Sequence, residues 1–94
     1  MPQDMMDDLL IQGTVTSKST GLPVEGIKVS AAQSGHFSIT NSYGVFLFYT
    51  PVTESLVLSF VDIDPNADGN YISRDTVLNH PGDQVVVHMA LEEQ

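Results

Sequence analysis

Ile11-Gln-Gly-Thr-Val-Thr-Ser-Lys-Ser-Thr-Gly21-Leu-Pro-Val-Glu-Gly26 decides the fold. Ile11, Gly13 and Val15 alternate with Gln12, Thr14 and Thr16, the two-residue period of a half-buried strand. Ser17 to Thr20 is a polar break, and Gly21-Leu-Pro-Val restarts the chain in extended form. Pro23 fixes its own φ and disfavours the helical region at Leu22. The stretch therefore reads as a strand, a turn and the entry to a second strand.

The same period recurs on both sides of it. The first strand is expected over Leu9 to Ser17 and the second over Gly26 to Gln33, with Ile27, Val29 and Ala31 on one face. Ser34-Gly35 marks a turn, and a third strand follows over His36 to Thr40. Its pattern predicts Phe37 and Ile39 inward, with His36, Ser38 and Thr40 outward. Asn41 to Gly44 is a turn in which Gly44 takes a positive φ. Val45 to Tyr49 is almost wholly apolar, which predicts a central strand covered on both faces. Leu56 to Ile63 puts Leu56, Leu58 and Phe60 on one side. A long acidic loop, Asp64 to Asn70, precedes a more polar edge strand over Tyr71 to Leu78. After the Pro81-Gly82 turn, Gln84 to Leu91 places Val85, Val87, Met89 and Leu91 on one face. About seven short strands with turn signals between them predict an all-β fold, an antiparallel β-sandwich. A small open barrel is the structural rival.

The chain has 94 residues and no cysteine, which predicts one domain over 9–94 behind a polar tail over 1–8 and excludes disulfide and thiolate chemistry. Its formal net charge is −9, with Lys18, Lys28 and Arg74 as the basic residues. Nucleic acid and anionic membrane surfaces are poor partners for such a chain, whereas metal cations and basic protein surfaces are compatible. No apolar run is long enough to span a bilayer. The opening Met-Pro-Gln-Asp-Met-Met-Asp-Asp lacks the pattern of a signal peptide; the chain either stays in the cytosol or begins after a removed segment.

Three spaced motifs carry a family resemblance. Ile11-x-Gly13-x-Val15, then Gly21-Leu-Pro23-Val24-x-Gly26-Ile27-x-Val29, then Thr40-Asn-Ser-Tyr-Gly44-Val-Phe46 occur in order. The series resembles the carboxypeptidase regulatory-like domains, small prealbumin-like (transthyretin-like) sandwiches with Greek-key connections, over about Ile11 to Phe60. Ser59-Phe-Val-Asp-Ile-Asp64 and the Asn/Asp/Gly loop behind it are similar to short bacterial lipoproteins encoded beside radical SAM enzymes. The resemblance implies this architecture and a cell-envelope location; since the sequence supplies no nucleophile–base pair at diagnostic spacing, the expected role is a non-enzymatic envelope module, structural or protein-binding, with an envelope protein or a glycan as partner. The resemblance also implies a membrane tether through a lipidated cysteine. This chain has none, so such a tether requires a leader removed upstream.

The sharpest chemical signal is Asp64-Pro-Asn66-Ala-Asp68-Gly69-Asn70-Tyr-Ile-Ser-Arg-Asp75. Asp64, Asn66, Asp68, Asn70 and Asp75 fit the spacing of a calcium loop, with oxygen ligands at alternating positions and Gly69 at the sharp turn. Strand-like flanks, the short Asp75 and Tyr71 in an aliphatic position argue against it, and a solvated acidic loop is the plainer reading. His36, His80 and His88 have no metal-ligand spacing. No nucleophile elbow accompanies the serines, which leaves no cofactor and no catalytic set. Lys18 and Lys28 do not favour an isopeptide cross-link: one lies in a turn, the other faces outward, and the last strand carries no Asn. Tyr43, Tyr49 and Tyr71 could form a sugar-stacking platform, with Tyr43 the most exposed. Calcium held by the 62–75 segment in the folded state alone raises the melting midpoint in millimolar Ca²⁺ above that in EDTA. An unchanged midpoint leaves the solvated loop.

Overall fold

A computed structural model describes residues 8–51, 55–63, 71–79 and 84–93. Among them are seven strands and no helix: β1 Asp8–Ser17, β2 Ile27–Ala31, β3 Phe37–Ile39, β4 Val45–Pro51, β5 Ser55–Asp62, β6 Arg74–Asn79 and β7 Gln84–Leu91. They form two packed sheets, a three-stranded one in the order β4-β1-β7 and a four-stranded one in the order β3-β2-β5-β6. The fold is an all-β sandwich. One pair departs from the antiparallel rule: β1 and β7, from opposite ends of the chain, run parallel, from Leu10 beside Gln84 to Ser17 beside Leu91.

The predicted alternation produces the core. Leu9, Ile11 and Val15 of β1 are fully buried, as are Ile27 and Val29 of β2 and Leu58 and Phe60 of β5. Phe46 reaches across from the three-stranded sheet to meet Phe60 edge to face, with ring centroids 5.9 Å apart and an interplanar angle of 81°. That geometry is favoured by the ring quadrupoles beyond the area the rings bury.

Gly13 makes the arrangement possible. A Cβ there would lie 1.8 Å from the carbonyl oxygen of Val87 and 2.9 Å from Cζ of Phe46. The missing side chain lets β7 pair closely on one side while the Phe46 ring passes over β1. Gly44 closes the β3–β4 turn at φ 72°. Its N–H donates to the carbonyl of Asn41 at 2.8 Å, and Oδ1 of Asn41 accepts from the N–H groups of Tyr43 and Val45.

Two expectations are corrected. Phe37 and Ile39 face outward, at 50% and 45% exposure, while Thr40 is buried. The register explains this: Ser30 and Lys28 oppose Phe37 and Ile39, so those four share the outer face, and the Lys28 ammonium sits 4.6 Å from the centroid of the Phe37 ring. Thr40 tolerates burial because its hydroxyl donates to the Val24 carbonyl at 2.7 Å and accepts from Ile27 N–H at 3.0 Å. The apolar β4 is an edge strand, not a central one. It buries Phe46, Phe48 and Thr50 and leaves Val45, Leu47 and Tyr49 exposed. The expected edge strand after the acidic loop is present but begins at Arg74; Tyr71 instead bridges to Glu93.

The close approach at Gly13 sets a stability hierarchy. Gly13→Ala meets backbone and is expected to cost about 3 kcal/mol in a urea titration. Gly35→Ala meets open space at a φ of +80° and is expected to cost about 1–2 kcal/mol. Equal losses would contradict the packing described at β1.

Candidate interaction surface

The residues proposed for calcium are not brought together among the described residues. Asp64, Asn66, Asp68 and Asn70 lie outside them. Asp75 is exposed on β6, where its Oδ1 accepts from the hydroxyl of Ser59 at 2.7 Å. The segment joins two strands: β5 ends at Asp62 and β6 begins at Arg74. Its neck is closed, since Asp62 Oδ2 accepts from Tyr71 N–H at 3.1 Å and Ile63 N–H donates to the Gly26 carbonyl at 3.2 Å. No group of three His, Asp or Glu that could hold a metal occurs among the described residues.

The other candidates separate as well. His36 and His88 are exposed in different parts of the fold, and His80 lies outside the described residues. Tyr43 is 76% exposed in its turn, Tyr49 is exposed on β4 and Tyr71 is buried, so the three tyrosines do not form one platform. A polar cluster joins the β1–β2 turn to the end of β7. Ser17 and Ser19 both donate to Glu93 Oε2 at 3.3 Å. Lys18 Nζ lies 3.3 Å and Arg74 4.0 Å from Glu92 Oε1. Lys18, Ser19, Glu92 and Glu93 line a shallow cleft of about 280 Å³. Its charges are matched to one another, and each exposed pair contributes at most about 1 kcal/mol. This end acts as a latch between strands.

The outer face of the three-stranded sheet has a different character. The registers place Tyr49, Leu10 and Gln84 in one row across β4, β1 and β7. Leu47, Gln12 and Val86 form the next row, then Val45, Thr14 and His88, with Thr16 and Ala90 beyond. No residue in these rows carries a carboxylate, an ammonium or a guanidinium, in a chain of net charge −9. Leu47, Tyr49 and Val86 are each at least half exposed. The one side-chain hydrogen bond described within the rows joins Thr14 Oγ1 and His88 Nδ1 at 2.8 Å. The face is uncharged rather than wholly apolar: Gln12 and Thr14 of the central strand lie between Leu47 and Val45 of β4 and Val86 and His88 of β7, and exposed apolar side chains grouped in this way mark protein-docking surfaces.

The sequence reading missed this surface because an apolar run was assigned to the interior on both faces. The usable signal lay in the partners of β4. Leu10, Gln12 and Thr14 alternate with core residues, and a strand paired to them shares their solvent-facing side.

No protein-family model matches the chain, and no curated protein matches it. A solved structure, the Bacillus anthracis TIE protein, is similar with a TM-score of 0.57 at 14% identity, over 93% of this chain. The chain spans 17% of that protein's length. At this identity the likeness concerns the fold, and it agrees with a β-sandwich.

Proposed function

We propose that this chain is a non-enzymatic β-sandwich module of the cell envelope that binds another protein through the outer face of its three-stranded sheet. One observation carries the reading: the charge-free rows of β4, β1 and β7 on a chain of net charge −9. Leaving Leu47, Tyr49 and Val86 about half exposed forgoes roughly half of the ~1.5–3 kcal/mol that full burial of each would give, a cost that a docked partner recovers. The envelope setting rests on the resemblance to carboxypeptidase regulatory-like domains and to the radical SAM-associated lipoproteins. The positive φ of Gly44 and the close approach at Gly13 supply physical reasons for two of its motifs.

A calcium-stabilised or glycan-binding module on the 62–75 segment is the second reading. The closed neck at Asp62 and Tyr71 favours it, because a pinned loop loses less entropy on ordering around a ligand.

The absence of cysteine allows a single photocrosslinker to be attached through Leu47→Cys on this face or through Val77→Cys on the outer face of the four-stranded sheet. In an envelope fraction, position 47 is expected to give a discrete protein adduct that Val86→Lys abolishes, and position 77 none. Val86→Lys itself is expected to change stability by no more than about 0.5 kcal/mol, since the side chain is mostly exposed. An adduct indifferent to Val86→Lys, or identical adducts from both positions, would overturn the assignment.

A further inference from the structure

The two sheets are unequal. β4, β1 and β7 face β3, β2, β5 and β6, and the extra strand lies on the β6–β7 side. The opposite side is closed in part. There the N–H of Leu47 on β4 donates to Ser38 Oγ on β3 at 3.3 Å, and Val45 exchanges hydrogen bonds with Asn41. On the β6–β7 side, the inward side chains Leu78, Val85, Val87 and Met89 pack against the core but are only partly buried. They sit at the two edges, where the three-stranded sheet is one strand short of its partner.

The chain itself begins the missing strand and then leaves it. Tyr71 bridges antiparallel to Glu93, and Ile72 N–H donates to the Glu92 carbonyl at 2.8 Å. Two residues later the chain has crossed to the other sheet as β6, starting at Arg74. Leu91 directs its carbonyl the other way, toward the β1 side, where Lys18 N–H takes it. Since successive residues of a strand alternate in direction, Ala90, His88 and Val86 point their backbone groups the same way as Glu92, to an edge that no other described strand pairs with. From Gln84 to Leu91 the strand carries no charged side chain and no proline, so it lacks the devices that blunt exposed edges.

We infer that β7 accepts an extended apolar segment of another protein as the fourth strand of its sheet, beside Val86 to Ala90. The inference rests on the interaction reading above and specifies the kind of partner. Main-chain hydrogen bonds to β7 would supply affinity. Alternate apolar side chains of the incoming strand would cover Leu78, Val87 and Met89, as in other cases of strand addition. Charge selects against a second copy. The chain has 12 acidic and 3 basic residues, and Lys18 and Arg74 are both engaged with Glu92. The fitting segment is therefore neutral or basic at its ends.

The probe is a synthetic peptide of alternating valine and threonine with a lysine at each end, added to the whole chain. Expected results are saturable binding and slowed amide hydrogen exchange at Val86, His88 and Ala90, with β4 amides unchanged. Val86→Pro removes an edge-facing N–H and leaves the β1 ladder intact. It is expected to weaken binding about tenfold, the loss of roughly one strand hydrogen bond. His88→Pro is the second variant in case the first fails to fold. Binding unaffected by both prolines overturns strand addition, as does slow exchange at those amides before peptide is added. Concentration-dependent dimerisation that protects them assigns the edge to a second copy and overturns it too. No peptide binding, with the Leu47→Cys adduct still formed, defeats strand addition alone; loss of that adduct defeats the face reading.

Discussion

The absence of one side chain at the centre of β1 holds the sandwich together. Gly13 sits between Val87 on one neighbouring strand and Phe46 on the other, and a Cβ would collide with both. Backbone distance and ring placement are coupled there: β7 approaches within pairing distance, and Phe46 crosses over β1 to reach Phe60 on the opposite sheet. The contact between the two sheets thus depends on a position that contributes no contact of its own. The conformational entropy a glycine loses in a strand is outweighed by what its neighbours bury.

Electrostatics divides the surface. The charge-matched end, where Lys18 and Arg74 meet Glu92, ties the β1–β2 turn, the start of β6 and the end of β7 together. The outer rows of the three-stranded sheet from Leu10 to Thr16 are free of charge. A net charge of −9 keeps copies apart at long range, although screening limits that repulsion to about 10 Å at ordinary ionic strength. Self-association through the apolar face must therefore overcome repulsion that a neutral or basic partner does not meet. On the proposed reading, the exposed rows would give adhesion and the overall acidity would select what adheres.

Periodicity made most of the architecture legible. β1 and β5 bury the residues that their alternation assigns to the core, because each has one clear apolar side; β7 turns the assigned side inward but buries only Leu91 fully, with Val85, Val87 and Met89 partly covered. β3 and β4 misled for opposite reasons. In β3 the larger side chains are the exposed ones, and the inward position at Thr40 is satisfied by two hydrogen bonds that no local pattern reveals. In β4 both faces are apolar, so period-two reasoning could not tell the core side from the exposed side. The parallel pairing of β1 with β7 was also hidden, since it joins residues about 75 positions apart and depends on tertiary closure. Of the acidic segment, composition and spacing were readable. The structure adds the closed neck at Asp62 and the engagement of Asp75 by Ser59.

The parallel pair also explains why β7 ends the three-stranded sheet. β4 reaches β1 after the Asn41 turn, and the β3–β4 corner that results is closed by Ser38 and Asn41. β7 comes back to β1 from the far end of the chain, and among the described residues its other edge is met by the segment preceding β6. That segment supplies Tyr71 and Ile72 and then crosses to pair with β5. Extending it along β7 would take β6 from the four-stranded sheet and expose Leu56 and Leu58, which are 1% and 0% accessible. Each of those leucines is worth about 1.5–3 kcal/mol buried, against about 0.5–1.5 kcal/mol for each additional strand hydrogen bond. Covering the core of the larger sheet wins, and no described residue continues along the edge of the smaller one as a consequence.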